Sequence, residues 1–242
     1  MSLIDKSFNL YTIKNARALC HGYLNSLSNF MIIMWRDKMK KLKKSRIVIL
    51  SIFFTFMFSM TIYAADYHTW YDRTLNGGVG NYGYNNRYYF IDSSAINAGN
   101  ETLTVNAMNS WIYTSNIVTT PISFQRTTTK SESIMDIYNG SYYPAEEYIY
   151  GETLFWLSGT RIYPYNPDGS NWAWTQIHLN TVSFNTLSQQ RKQGVIAHEM
   201  GHVMGLAHNQ DWGPIVLMYP YGDELTVSSP TSHDLFGINH LY

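Results

Sequence analysis

The sequence contains very little cysteine and comparatively little charge. Of its 242 residues one is a cysteine, Cys20, and 14% are Asp, Glu, Lys or Arg. One thiol cannot form an internal disulfide, so core packing and bound metal must stabilise the folded chain. The formal net charge is zero, and residues 65–242 carry no basic cluster, which argues against nucleic-acid binding.

The few charges are distributed unevenly along the chain. Residues 1–64 carry ten Lys and Arg against two Asp and Glu, whereas residues 65–242 carry seven against fifteen. The basic residues are concentrated directly before an apolar run at 47–63, and small residues follow that run. This is the layout of a secretory signal peptide. We therefore predict a signal peptide at 39–64, preceded by an unassigned extension at 1–38.

The apolar run also has a second interpretation. Residues 47–63 approach the lower limit of length for crossing a bilayer, so an uncleaved membrane anchor is the alternative. Cleavage after Ala64 or Ala65 would instead release residues 65–242, a suitable size for one compact domain. We expect the released domain to be secreted and monomeric, with contact to a membrane only if the signal segment is retained.

Residues 65–242 predict one α+β domain without internal repeats. Alternating apolar positions and β-branched residues indicate strands, and apolar residues at helical spacing indicate helices. Capping boxes at Thr186 with Gln189 and at Thr231 with Asp234 predict the starts of two helices. The predicted strands are 87–91, 122–127, 133–138, 159–163 and 175–181, and the predicted helices are 101–114, one that carries His198 and stops near Gly205, and 232–241.

The pattern H-E-x-x-H-x-x-G-x-x-H predicts a metal centre at His198, Glu199, His202, Gly205 and His208. On a helix, His198 and His202 lie one turn apart on the same face, so both imidazoles can bind one zinc ion. His208 must approach from another direction, and Gly205 supplies the backbone freedom for that turn. Three neutral imidazoles and an open position are typical of a catalytic zinc, with Glu199 close enough to reach a zinc-bound water.

This motif resembles that of the metzincin clan of zinc endopeptidases, and most closely that of the matrixins. Met218 in V-L-M-Y-P and the ending D-L-F-G-I-N-H-L-Y extend the resemblance over residues 186–242. It implies a metzincin-like zinc protease domain, in which a twisted mixed sheet packs with an active-site helix and a C-terminal helix. It also implies that Met218 forms a Met-turn beneath the zinc ligands and that Glu199 is the general base of peptide hydrolysis.

The resemblance further implies where a polypeptide substrate binds. Residues 159–163 would form an edge strand that pairs with an extended peptide. Two positions depart from the matrixin pattern, because Asn209 stands where Ser is usual and Gly222 stands where the pocket wall usually carries Tyr. Tyr221 could replace that wall, or it could be an ordinary surface aromatic. The predicted substrate-binding residues are Gly159, Arg161, Ile162, Tyr163, Tyr219, Pro220 and Tyr221.

Other metal sites have weaker support in the sequence. Of the histidines that build the structural zinc site of matrixins, only His178 has a plausible counterpart, with Arg161 near the place of another, so we predict one zinc ion. Asp168, Gly169 and Asn171 could bind calcium, although a plain turn is the favoured interpretation. Before Arg87 the exported segment has no cysteine for a latency switch. Three isolated histidines are predicted to have no function: His68, His233 and His240.

The function that these observations predict is that of a secreted zinc-dependent endopeptidase, which hydrolyses peptide bonds in extracellular proteins. Two alternatives stay open at this point. The domain could be a zinc-containing extracellular binding module that does not turn over substrate, although Glu199 would then have no purpose. It could also be a surface protease that stays tethered to a membrane by residues 47–63.

Overall fold

The computed structural model describes residues 67–80, 87–162, 167 and 169–242 of the chain. The predicted extension and signal peptide at 1–64 therefore lie outside the described residues, as do Tyr163 and Asp168. Within the described ranges, the helices are all too short or too polar to cross a membrane.

The described chain alternates short helices with strands before it enters the helix that carries the metal motif. The strands are β1 (Arg87–Ile91), β2 (Phe124–Thr127), β3 (Met135–Gly140), β4 (Gly151–Leu157), β5 (Thr160–Arg161) and β6 (Trp174–Asn180). The α-helices are α1 (Ser93–Asn97), α2 (Glu101–Ile112), α3 (Thr181–Phe184), α4 (Gln189–Val203) and α5 (Ser232–Leu241). Short 3-10 helices lie at Lys130–Glu132, Ala145–Glu147 and Gly213–Ile215.

The strands form one mixed sheet in the order β2-β1-β3-β6-β4-β5. The pairs β2–β1, β1–β3 and β3–β6 are parallel, whereas β4 is antiparallel to both of its neighbours, β6 and β5. Parallel pairs need crossover connections, and here α1, α2 and longer loops supply them. The predicted α+β domain with a mixed sheet, an active-site helix and a C-terminal helix is confirmed.

Strand β4 is absent from the sequence prediction, although it lies next to the active-site helix. Three consecutive residues of this strand, Thr153, Leu154 and Phe155, are buried, so it lacks the alternation of apolar and polar residues that marks a half-exposed strand. Within the described part of the predicted strand at 159–163, only Thr160 and Arg161 form a strand, β5. It does lie at the edge of the sheet, as predicted, but it pairs only with the last two residues of β4.

The two predicted capping boxes have different outcomes. Helix α4 begins after Ser188, whose side chain accepts a hydrogen bond from the Arg191 amide, so the prediction of a box at Thr186 is wrong. Thr186 instead donates to the carbonyl of Ser183 in the preceding turn. The box at Thr231 and Asp234 is confirmed at the start of α5.

Two buried tryptophans fix the position of α4 against the rest of the core. The indole N–H of Trp111 on α2 donates to the Ala197 carbonyl at 3.0 Å, and that of Trp172 donates to the Val203 carbonyl at 3.0 Å. Both indoles are fully buried, so each bond forms away from competing water. The metal motif therefore lies on a helix whose position is fixed near its middle and at its end.

Candidate metal centre and cleft

The three predicted ligand histidines converge on one point. Helix α4 carries His198 and His202, whose ring centroids are 4.6 Å apart, and the loop after the helix returns His208 to the same place. Their candidate ligand atoms all lie within 4.8 Å of one another, and the Nε2 atoms of His202 and His208 are 3.1 Å apart. Within the described part of the chain, this is the one group of three such side chains that could bind a metal ion.

Backbone carbonyls orient the two histidines on the helix. The Nδ1 atom of His198 lies 2.7 Å from the carbonyl oxygen of Leu217, and that of His202 lies 2.7 Å from that of Leu206. A carbonyl oxygen can only accept, so Nδ1 carries the proton in both rings and Nε2 presents a lone pair. This outer hydrogen bond is the usual way in which a ligand histidine is held in the metal-binding tautomer.

The donor set fits a zinc ion. Bonds of about 2.0–2.1 Å in tetrahedral geometry place two ligand nitrogens roughly 3.3 Å apart, close to the separation of His202 and His208. Burial lowers the pKa of His198 to about 3 and that of His202 well below its usual value, and neighbouring imidazoles add to both shifts. Desolvation by the surrounding protein also lowers the pKa of His208, whose side chain is exposed at the cleft. All three rings are thus neutral near pH 7, which is the form that binds metal.

The turn toward His208 requires glycine. Gly205 has a φ of +103°, which side chains rarely adopt, and a Cβ atom there would lie 2.6 Å from Leu241 and 3.0 Å from the Arg73 carbonyl oxygen. The last turn of the helix and the start of the ligand loop are therefore tightly packed against the C-terminal helix and the N-terminal segment.

The buried carboxylate of Asp234 holds the chain around Met218, a contribution that the sequence prediction missed. Asp234 accepts hydrogen bonds from the backbone amides of Leu217 and Met218, both at 3.2 Å, as well as from Thr231. Leu217 in turn accepts from His198. The capping box that begins α5 thus also positions Met218 and one of the ligand histidines, and the capping pattern alone does not reveal this second role.

The carboxyl group of Glu199 lies beside the histidines in a buried position. Its Oε2 atom accepts a hydrogen bond from Thr153 Oγ1 at 2.7 Å, and a Cβ atom at Gly151 would lie 2.9 Å from its Cγ. Burial raises the pKa of Glu199 to about 7, the hydrogen bond from Thr153 opposes this shift, and the charge of Glu152 adds to it. A carboxyl group with a pKa near neutrality is suited to accept and return a proton. Gly151 and Thr153, both on β4, are further site residues that the sequence prediction missed.

A cleft of about 220 Å³ opens beside Glu199. Of the predicted pocket residues, Tyr219 and Pro220 line it, whereas Tyr221 is 54% exposed and packs its ring edge-on against that of Tyr219. The lining consists of Tyr148, Ile149, Tyr150, Gly151, Val195, His198, Glu199, His208, Tyr219, Pro220, Gly222 and Leu225. The wall at Gly222 carries no side chain, and the tyrosines Tyr148, Tyr150 and Tyr219 give the cleft its aromatic character.

The other predicted substrate-binding residues are not in the lining of this cleft. Gly159 forms the turn between β4 and β5, Arg161 pairs with Glu152 at 3.4 Å, and Ile162 packs against the core. The strand next to Glu199 is β4, and residues 160–162 lie alongside its far end, next to Phe155, Trp156 and Leu157. A role for these residues in substrate binding stays a prediction.

The predicted secondary metal residues have other surroundings. His178 stacks on Tyr142 with ring centroids 4.1 Å apart and meets Tyr138 edge-on, and burial together with Arg161 lowers the pKa of His178 to about 4. Asn171 accepts a hydrogen bond from a backbone amide in the N-terminal segment. One zinc ion and a possible calcium ion remain predictions.

Comparison with known proteins gives one family. A model of the family described as matrixin matches residues 87–242, which contain all the described helices and strands together with the metal centre. No curated protein matches the chain.

The metal centre leads to a prediction about zinc stoichiometry. The purified protein should bind one equivalent of zinc tightly, and His202→Ala should weaken binding more than the roughly 10- to 100-fold that loss of an outer partner costs. The matched control is His178→Ala, which removes a partly buried imidazole away from the centre and should leave zinc binding intact. Metal analysis and competition with a chromogenic chelator measure both. Two tight equivalents, one of them lost in His178→Ala, would contradict the prediction.

Proposed function

This chain belongs to the matrixin family of zinc-dependent endopeptidases, and from this membership we propose that it is a secreted protease that hydrolyses peptide bonds in extracellular proteins. The observation that carries the proposal is the position of Glu199. A buried carboxyl group with a raised pKa lies beside three convergent neutral imidazoles, in the wall of an open cleft. A site built only to bind metal has no need of such a group.

Different residues of the site have different roles in the proposed hydrolysis. His198, His202 and His208 would hold the zinc ion, which would supply a Lewis acid and a bound water of lowered pKa. Glu199 accepts the proton of the attacking water and passes it to the leaving amine. Thr153 holds one carboxylate oxygen of Glu199, so the other oxygen is left for the proton transfer. The position of this proton acceptor is thereby set before substrate binds. Such preorganisation lowers the activation free energy of the reaction.

The edge of β4 beside Glu199, which no described strand covers, supports binding of an extended polypeptide. The Phe155 carbonyl accepts a hydrogen bond from the Ile162 amide on the β5 side. Thr153 and Gly151 lie two and four residues before Phe155, so their amide and carbonyl groups point to the same side of β4, where no described strand residue pairs with them. A substrate strand added there would form backbone hydrogen bonds directly beside Glu199. We infer that β4 is the strand that binds substrate.

The proposal predicts that Glu199→Gln abolishes most activity but keeps the metal. The amide cannot accept the water proton, so kcat for cleavage of casein or gelatin should fall about 10²- to 10⁴-fold. Zinc content should not change, because Glu199 is not a ligand. Glu147→Gln, the same change at an exposed position, is the control. Wild-type protein that binds zinc and substrate but cleaves nothing would favour the non-catalytic binding module instead.

A second prediction concerns the close approach of β4 to the base. In Gly151→Ala the new methyl group would lie 2.9 Å from Glu199 Cγ and 3.0 Å from Oε1, so the carboxylate must move. Displacement of about 1 Å can cost about 100-fold in rate, and we expect a loss of kcat of that order. The control is Gly169→Ala, since a Cβ atom there meets no heavy atom within 4 Å. Wild-type kcat in Gly151→Ala would contradict this account of how Glu199 is positioned.

Secretion predicts a defined new N-terminus. When the full chain is expressed in a host with a general secretion pathway, the product outside the cells should begin at Ala65 or Asp66 by N-terminal sequencing. Phe54→Arg places a charge inside the apolar run and should block export. Recovery of the chain in the membrane fraction with residues 47–63 still attached would contradict cleavage and favour the tethered surface protease.

A further inference from the structure

The first described segment of the chain pairs with the loop between the second and third ligand histidines. We call residues 67–73 the N-terminal strap. The amide of Trp70 donates to the Gly205 carbonyl at 3.1 Å, and the amide of Ala207 donates to the His68 carbonyl at 2.9 Å. Between these bonds, Thr69 and Leu206 form an antiparallel bridge. The strap therefore adds a short strand to the stretch of chain that connects His202 with His208.

The strap also contacts a ligand histidine directly. The ring of Trp70 lies against that of His202, with centroids 5.4 Å apart and planes inclined by 35°. Trp70 is partly buried, and its Nε1 is a buried donor that has no hydrogen-bond partner among the described residues. Such a donor is costly, so the indole stabilises this position through contact with the imidazole ring and not through a hydrogen bond. The indole covers one face of His202, which restricts rotation of the imidazole.

The backbone pairing reaches the other side of His202 as well. Leu206, whose partner in the bridge is Thr69, is the residue whose carbonyl accepts from His202 Nδ1 at 2.7 Å. The strap thus holds both the aromatic face of His202 and the carbonyl that selects its tautomer. Loss of the strap would free the imidazole in two ways at once.

Side chains tie the two ends of the strap to neighbouring elements. His68 Nε2 lies 3.1 Å from Asp211 Oδ2, three residues beyond His208, and His240 Nε2 on α5 lies 2.9 Å from Asp72 Oδ1. These pairs are exposed and contribute little stability themselves. The His68–Asp211 pair adds a contact after His208, so that together with the backbone bonds at Gly205 and Ala207 the strap contacts the ligand loop on both sides of His208. His68 and His240, predicted to have no function, are part of this arrangement.

We propose that the N-terminal strap, and Trp70 above all, positions His202 and His208 for zinc before the metal binds. A preordered ligand loop loses less conformational freedom on binding, so the strap raises zinc affinity. Trp70 is a positioning residue, since it touches a ligand and not the reacting atoms. The inference rests on the zinc site of the proposed function but does not depend on peptide cleavage.

Zinc affinity tests the strap without any assay of activity. Competition with a chromogenic chelator should show zinc bound about 10- to 100-fold more weakly by Trp70→Ala than by wild type, the loss expected for an outer contact of a ligand histidine. Trp70→Phe keeps a ring against His202 and removes the unpartnered N–H, so it should restore affinity to near wild type. Tyr71→Ala, next to it on the strap and 75% exposed, is the matched control and should bind zinc normally.

Two further measurements separate positioning from general stability. The cobalt-substituted protein should show altered visible absorption in Trp70→Ala, because the ligand geometry changes, and thermal unfolding of the metal-free protein measures the stability that is lost with the partly buried indole. If Trp70→Ala does not fold, Trp70→Leu keeps apolar volume without the ring and should show the same weakening to a smaller degree.

Several results would overturn the proposal. Zinc affinity equal to wild type in Trp70→Ala or Trp70→Leu would do so. A loss explained entirely by unfolding of the metal-free protein, with an unchanged cobalt spectrum in the folded fraction, would also do so. Failure of the wild-type protein to bind zinc would instead contradict the metal site, and loss of peptide cleavage alone would bear only on the proposed function.

Discussion

Three imidazoles in this protein, those of His198 and His202 buried and that of His208 exposed, must direct neutral nitrogen lone pairs at one point. Like lone pairs about 3 Å apart repel each other unless a cation lies between them, so the arrangement persists only if the surrounding structure imposes it. Several contacts elsewhere in the domain hold the three imidazoles in this arrangement. Two buried indoles fix α4, carbonyls of Leu206 and Leu217 select the tautomers, and Asp234 holds the backbone at Leu217.

Burial keeps His198 and His202 neutral, and it also raises the pKa of Glu199, the proposed general base. Glu199 shares the water-poor environment of the ligands, and its pKa rises because the charged form loses hydration. A divalent cation nearby acts in the opposite direction and favours the carboxylate. The protonation state of Glu199 is therefore set by a balance between burial and the metal, and Thr153 favours the charged form through its hydrogen bond.

The site draws on parts of the chain that are far apart in sequence. Strand β4 brings Gly151 and Thr153 against Glu199, α5 brings Asp234 beneath the chain at Met218, and the N-terminal strap covers His202. The indole of Trp111 on α2 reaches the middle of α4. The cleft itself is lined by the start of β4 and the residues before it, by α4, and by the chain at Tyr219 and Pro220.

The sequence alone determined the features that depend on local geometry. Spacing of four residues on a helix brings His198 and His202 together, a glycine after them permits the turn to His208, and the capping box at Thr231 begins α5. Family resemblance added the class of chemistry. Only the tertiary structure decided which strand approaches Glu199. The middle of β4 is buried on both faces, so its sequence lacks the alternation of apolar and polar residues that would predict a strand. It also decided that Asp234 and Trp70 serve the metal centre, since contacts such as that of Thr153 with Glu199 join residues 46 positions apart and leave no periodic signal in the chain.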